Sequence, residues 1–326
     1  MLFPPVETNN TSCDLCPREC RADRTKTECG FCQNDYRMRI GKIMLHEWEE
    51  PCISRGAGAG AIFFGGCPLA CVYCQNQKLS HYGAGAYRTV AELTDAMLSL
   101  QEQGASCIDL VSATPFAYEV TSALRAAKAR GLTLPIVWNT SGYEKISTLK
   151  MLEGLVDVYL PDLKTLSATR AKRYMNAPDY PRVAKAALDE MLRQTGAPQF
   201  EGDLLVRGTV VRHLVLPKGE NDTKRVLDHL ATYGKEIIVS LMSQYTPPDL
   251  LDREKFPELS APLHSIEYRR ACRYAEEVGI ENLYTQDLSS AVNTYVPEWE
   301  YPTNPFDLLL RFAQVREVEK QVKEEK

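Results

Sequence analysis

Short apolar runs alternate with amphipathic stretches from Ala61 onward. The runs Ala61–Phe64, Ile108–Val111, Pro135–Trp138, Val156–Leu160, Leu205–Val211 and Ile237–Leu241 read as strands. Helical spacing of apolar positions covers Val90–Gln103, Phe116–Arg130, Ile146–Leu152, Pro181–Thr195 and Thr223–Tyr233, and returns at Ile266–Val278. Gly104, Gly131, Gly196, Gly234 and Gly279 follow these stretches, where glycine accepts the left-handed backbone that ends a helix. Strand then helix is the period throughout, which predicts an α/β fold with a parallel sheet. Right-handed crossovers curl six such units into a partial (β/α)6 TIM-like barrel, with its ligand site at the C-terminal ends of the strands.

Residues 1–50 break this rhythm. They are polar and cysteine-rich, and run into an extended stretch around Arg39–Trp48. A piece below about 40 residues has too little core to hold itself, so this segment is expected to be a small metal-binding module. Residues 51–300 then form the barrel, and residues 301–326 a helical extension with a charged, solvated end.

Charge narrows the choice of partners. The 38 Lys+Arg against 43 Asp+Glu leave a net charge of −5 with no long single-sign block, so no broad basic face for nucleic acid is expected. No run approaches the roughly 18 apolar residues of a membrane span, and Met1–Thr11 has neither a basic nor an apolar leader. A cytoplasmic protein is expected, with no membrane partner. Thiols stay reduced in that compartment, so the 11 cysteines are read first as metal ligands. Cys13, Cys16, Cys20, Cys29 and Cys32 form one group and Cys67, Cys71 and Cys74 another. The solitary Cys52, Cys107 and Cys272 read as small apolar side chains.

The second group lies just after the first predicted strand, in Gly65-Gly66-Cys67-Pro68-Leu69-Ala70-Cys71-Val72-Tyr73-Cys74. Three thiolates on one loop ligate three irons of a cubane that ordinarily takes four cysteines, which leaves one iron open to an outside ligand. A closed zinc site wants a fourth protein ligand, and a redox dithiol has no use for Cys67.

This C-x3-C-x2-C spacing, with Tyr73 just before the last cysteine, resembles the signature of the radical S-adenosylmethionine (radical SAM) superfamily. The likeness extends over most of the chain to the activating enzymes of pyruvate formate-lyase, in particular their PflX-like branch. It is carried by Cys13-Asp14-Leu15-Cys16-Pro17-Arg18-Glu19-Cys20, Glu49-Glu50-Pro51, Cys74-Gln75-Asn76, Asn139-Thr140-Ser141-Gly142-Tyr143, Asp162-Leu163-Lys164 and Arg212-His213. The resemblance implies a [4Fe–4S] cluster on Cys67, Cys71 and Cys74, with S-adenosylmethionine on its open iron. It implies cofactor contacts from Tyr73, Asn139, Thr140, Asp162, Lys164, Arg212 and His213. Relatives carry a Gly-Gly-Glu element after the second strand, where this chain has Val111-Ser112-Ala113-Thr114-Pro115, so the hydroxyl of Ser112 or Thr114, or a backbone carbonyl, is expected to stand in for the missing carboxylate.

The N-terminal thiols run C-x2-C-x3-C-x8-C-x2-C, which fits a zinc ion or a second iron–sulfur cluster. The resemblance implies Cys13, Cys16, Cys20 and Cys32 as ligands and leaves Cys29 as an extra thiol. It also implies an activase that takes hydrogen from a glycine of a glycyl-radical protein, with flavodoxin or ferredoxin as electron donor. Two other readings stay open: a radical enzyme acting on a small molecule or another protein side chain, and a non-catalytic iron–sulfur electron carrier.

Overall fold

The computed structural model describes residues 11–25 and 29–286. The extension expected over residues 301–326 lies outside them. Beyond the N-terminal cysteines the chain forms β1 (Met38–His46), β2 (Ala59–Phe64), the short α1 (Gln77–Ser80), β3 (Ala86–Arg88), α2 (Val90–Glu102) and β4 (Ile108–Val111). Next come α3 (Ala117–Ala129), β5 (Ile136–Thr140), α4 (Ile146–Leu152), β6 (Val158–Pro161), α5 (Ala168–Met175) and α6 (Tyr180–Thr195). The series ends with β7 (Gln199–Glu201), β8 (Leu204–Leu214), α7 (Glu220–Ala231), β9 (Ile238–Met242), α8 (Ser265–Glu277) and β10 (Leu283–Thr285).

One sheet runs β10-β9-β8-β6-β5-β4-β2-β1-β3, with β7 paired to β8. From β2 to β10 along this path every pairing is parallel, whereas β1 and β3 add antiparallel strands at the β2 edge. This is the partial barrel that the alternation predicts, with β10 as a seventh parallel strand. Three residues, Leu283 to Thr285, carry too short a pattern to announce it. The extended stretch expected at Arg39–Trp48 is β1, which belongs to the sheet.

Helix ends follow local chemistry. Thr89 and Glu92 make a reciprocal capping box that starts α2. Gly104 and Gly131, at φ 86° and 101°, end α2 and α3 as their positions imply.

Two apolar layers pack the helices on the sheet, one built on Trp138 and Phe116, the other on Tyr180 and Met175. A third cluster, with Cys52, Ile53, Cys107, Val137, Val158 and Val210, fills the barrel at the N-terminal ends of the strands. Cys52 and Ile53 follow β1, whose last residue, His46, pairs with Ala59 at the start of β2. The turn after β1 therefore closes the floor of the barrel, and the C-terminal ends of the strands are its mouth.

Candidate functional site

The loop from Cys67 to Cys74 leaves β2 at the mouth. It is stapled to the end of α5: the Val72 amide donates to the Tyr174 carbonyl at 2.9 Å, and the Ala70 amide to Met175 at 3.4 Å. Ser80 sits 3.2 Å from the Cys74 sulfur, and the Leu69 amide points to Cys67 Sγ at 3.4 Å. Burial holds all three thiols above their ordinary pKa and pushes Cys71 up to about 12, with Lys164 working against that rise. Such thiols stay protonated until a strong Lewis acid displaces the proton. Among the described residues no three His, Cys, Asp or Glu side chains converge as ligands of a single ion. A cubane asks for no such convergence, because its thiolates go to three different irons. Three enclosed thiols on one loop are a donor set that fits it.

Beneath the loop a chain of polar contacts descends through the barrel. Lys164 Nζ lies 2.6 Å from Asp162 Oδ2, and Arg212 Nε lies 3.0 Å from Asp162 Oδ1. Arg212 Nη2 donates to Asn139 Oδ1 at 2.5 Å, and Asn139 Nδ2 donates to Asp109 Oδ2 at 3.2 Å. Asp162 and Arg212 also form a parallel bridge that extends the pairing of β6 and β8. Burial disfavours charge on Lys164 and Asp162, yet their mutual attraction prevails. Lys164 is held well above its ordinary range and Asp162 below its own. Cys71 and Tyr73 add to the field on Lys164, which joins the polar chain to the cysteine loop.

Three acidic residues that the sequence reading gave no role complete this interior. Glu49, on the floor turn, lies 3.7 Å from Arg212. Asp109 on β4 is fully enclosed; burial, then Glu49, pushes its carboxyl well up, toward the neutral acid. Burial also pushes Glu50 from the ordinary 4.5 to about 7, with Arg212 opposing. The folded chain thus keeps the Glu50 proton longer than the unfolded one. Its contribution to stability is full below the unfolded value and is lost, by roughly 3 kcal/mol, as pH rises through the folded value. Glu50→Gln is expected to flatten that decline, as measured by urea unfolding from about pH 4 to about pH 8.

The expected cofactor contacts separate by the side of the strand they occupy. Asn139, Asp162, Lys164 and Arg212 are brought together, and Ser112 follows β4 at the same end with φ 61° and its amide on the Asn139 carbonyl. Thr140 and His213 each stand one residue along from an inward neighbour, so they face the helices. His213 is 2% exposed, with its ring nitrogens 2.7 Å from the Leu163 carbonyl and 3.1 Å from Thr223 Oγ1. Thr140 and Thr114 both donate to Glu144 Oε1, an enclosed carboxylate that Trp138 Nε1 also reaches. His213, Thr140 and Thr114 are thus absorbed into the packing outside the strands, and of the two hydroxyls expected to replace the missing carboxylate only Ser112 stays available. Tyr73 packs edge-on against Tyr174, its hydroxyl 3.8 Å from Met175 Sδ. The tight turn at Gly142 brings its backbone to the Asp162 carbonyl, 2.4 Å from where a Cβ would sit, a close approach of the chain to itself that only glycine allows. Tyr180, which falls just before the helix predicted from Pro181, puts its hydroxyl 2.8 Å from the Asp162 carbonyl and 2.9 Å from that of Ser141, and accepts the Lys164 amide.

Among the N-terminal thiols Cys13 and Cys20 are in hydrogen-bond contact. The contact pulls Cys20 down to about 5 and, with burial, raises Cys13. Cys16 is pushed up to about 12 by burial and by neighbouring Cys32, while Cys29 is exposed.

Comparison with known proteins agrees with this arrangement. A family model described as the radical SAM superfamily matches residues 61–230. An uncharacterized protein of Methanocaldococcus jannaschii, MJ0674, is 24% identical over 288 residues, which cover 84% of this chain and 77% of that protein. Among the described residues no helix is long and apolar enough to cross a membrane.

Proposed function

The chain belongs to the radical SAM superfamily, and on that premise we propose that Cys67, Cys71 and Cys74 hold a [4Fe–4S] cluster at the barrel mouth, with S-adenosylmethionine on the iron they leave free. The observation that carries this reading is the three-thiol loop lying over Lys164 and Asp162, whose charges are fixed by one another. When bound, the pair supplies reductive cleavage of the sulfonium to methionine and a 5′-deoxyadenosyl radical that abstracts hydrogen.

The residues orient and exclude. Lys164 presents an ammonium to a carboxylate at the mouth. Asp162, itself held by Arg212, keeps that ammonium in place, and Asn139 with Ser112 offers polar groups beside it. The floor cluster keeps water out from below.

The hydrogen donor implied by the sequence resemblance is a glycine of a partner protein, with flavodoxin or ferredoxin as reductant. A second metal, zinc or iron–sulfur, on Cys13, Cys16, Cys20 and Cys32 is part of the same reading; the contact of Cys13 with Cys20 and the influence of Cys32 on Cys16 speak for it, and the lack of three converging side chains among the described residues speaks against a single zinc ion.

The test is electron paramagnetic resonance of the anaerobically reconstituted, reduced protein. A [4Fe–4S]⁺ signal altered by S-adenosylmethionine supports the reading, and a signal indifferent to it overturns it. Lys164→Ala is expected to weaken S-adenosylmethionine binding by about 10-fold to 100-fold, the worth of one charge-assisted contact, with iron content unchanged. Titration of the spectral change reads this directly.

A further inference from the structure

The N-terminal cysteine module grips the loop at the barrel mouth from two directions. Arg18, between Cys16 and Cys20, donates from Nε to the Pro68 carbonyl at 2.8 Å, from Nη1 to Asn176 at 2.5 Å and from Nη2 to Met175 at 3.1 Å. Its guanidinium lies 3.8 Å from the centre of the Phe31 ring and 5.4 Å from that of Tyr143. One fork therefore joins the module, the cysteine loop and the end of α5, which itself holds the loop amides.

On the other side of Cys67, Asn34 donates from Nδ2 to the Gly65 carbonyl at 2.9 Å. Gly66, at φ 81°, is pressed against the same segment: a Cβ there would meet Asn34 Nδ2 at 2.1 Å and the Cys32 carbonyl at 2.4 Å. The backbone on each side of the first cysteine is thus fixed by residues next to Cys16, Cys20 and Cys32. The module is itself moored to the barrel. Lys145 pairs with Asp14 and Glu19, the Thr148 hydroxyl donates to the Leu15 carbonyl, and buried Arg24 donates to the Pro115 carbonyl.

We propose that Arg18 and Asn34 are positioning residues for the cluster loop, and that Arg18 also sets the reduction potential of the group held there. The inference rests on Cys67, Cys71 and Cys74 being the cluster ligands. Outer contacts of this kind orient ligands and tune the metal they hold. Reduction adds negative charge, so a guanidinium held on the Pro68 carbonyl, one residue from Cys67, favours the reduced state. Its removal lowers the potential.

The experiment uses the full chain, reconstituted anaerobically, as wild type and as Arg18→Gln, Arg18→Lys and Asn34→Ala. Two quantities are read: the rate of iron loss to an external chelator, and the midpoint potential from a redox titration followed by electron paramagnetic resonance. Arg18→Gln is expected to lose iron on the order of 10-fold faster and to titrate at a lower potential. Arg18→Lys, which keeps the charge without the fork, is expected to recover the potential but not the retention. Asn34→Ala is expected to speed iron loss at unchanged potential. Circular dichroism checks the fold, and if Arg18→Gln does not fold, the Arg18→Lys and Asn34→Ala retention rates decide. Wild-type rates and potentials throughout overturn the proposal. A wild-type chain that takes up no four-iron cluster overturns the ligand assignment instead, and the two failures are told apart by that control.

Discussion

Cys71→Ala is expected to lose the catalytic cluster and, with it, all formation of 5′-deoxyadenosine from S-adenosylmethionine. Two thiolates cannot anchor three irons, and none of the solitary cysteines stands at the loop to take the vacant place. Cys52 and Cys107 lie in the apolar floor at the other end of the barrel, and Cys272 is on α8. Cys71 is also the most enclosed of the three, 7% exposed. Iron and sulfide analysis of the variant, beside Cys272→Ala as a control that keeps its iron, reads the result. Full iron and activity in Cys71→Ala would dismiss the ligand assignment.

The second large effect concerns stability. Arg212→Ala is expected to cost about 3–5 kcal/mol, because it strips Asp162 and Glu49 of their shared cation inside the barrel. The cost depends on pH in a definite direction. With the guanidinium gone, Asp162 loses one of the two cations that hold its carboxyl down, and Glu50 and Asp109 lose the cation that opposes their rise, so the variant's deficit is small in acid and grows as pH rises. Urea unfolding of wild type and variant at about pH 5 and about pH 8 measures this. A deficit that does not change with pH would place the loss in packing rather than in unpaired charge. Adding Glu49→Gln should return part of the loss.

The parallel sheet was legible because its signals are local. Six strands and six helices announce themselves by period, and glycines mark the helix ends. Elements of three residues, such as Ala86–Arg88 and Gln199–Glu201, carry no period to find. α5 escapes for another reason: it is strongly polar, only Ala171, Tyr174 and Met175 are buried, and its identity rests on the Ser167 cap and the left-handed Asn176 at its end.

The site divides along the same line. Cysteine spacing is local and reads directly. Asp162, Lys164 and Arg212 are named by the family resemblance and do face the interior, but Thr140 and His213 are one step off in register, and alternation turns them away. Trp138, two residues before Thr140 and buried in the outer core, is the signal that fixes Thr140 on the helix side. Glu49, Glu50, Asp109 and Tyr180 act across long separations, which only the folded chain brings together.

The floor turn after β1 also governs traffic. Among the described residues the barrel is stoppered at its amino end by Cys52 and Ile53, so its doorway lies at the other end, where the cysteine loop stands. Whatever is to occupy the space above Arg212 has to arrive before the doorway fills and leave after it clears. Order of arrival and departure is thereby written into the architecture, before any affinity is considered.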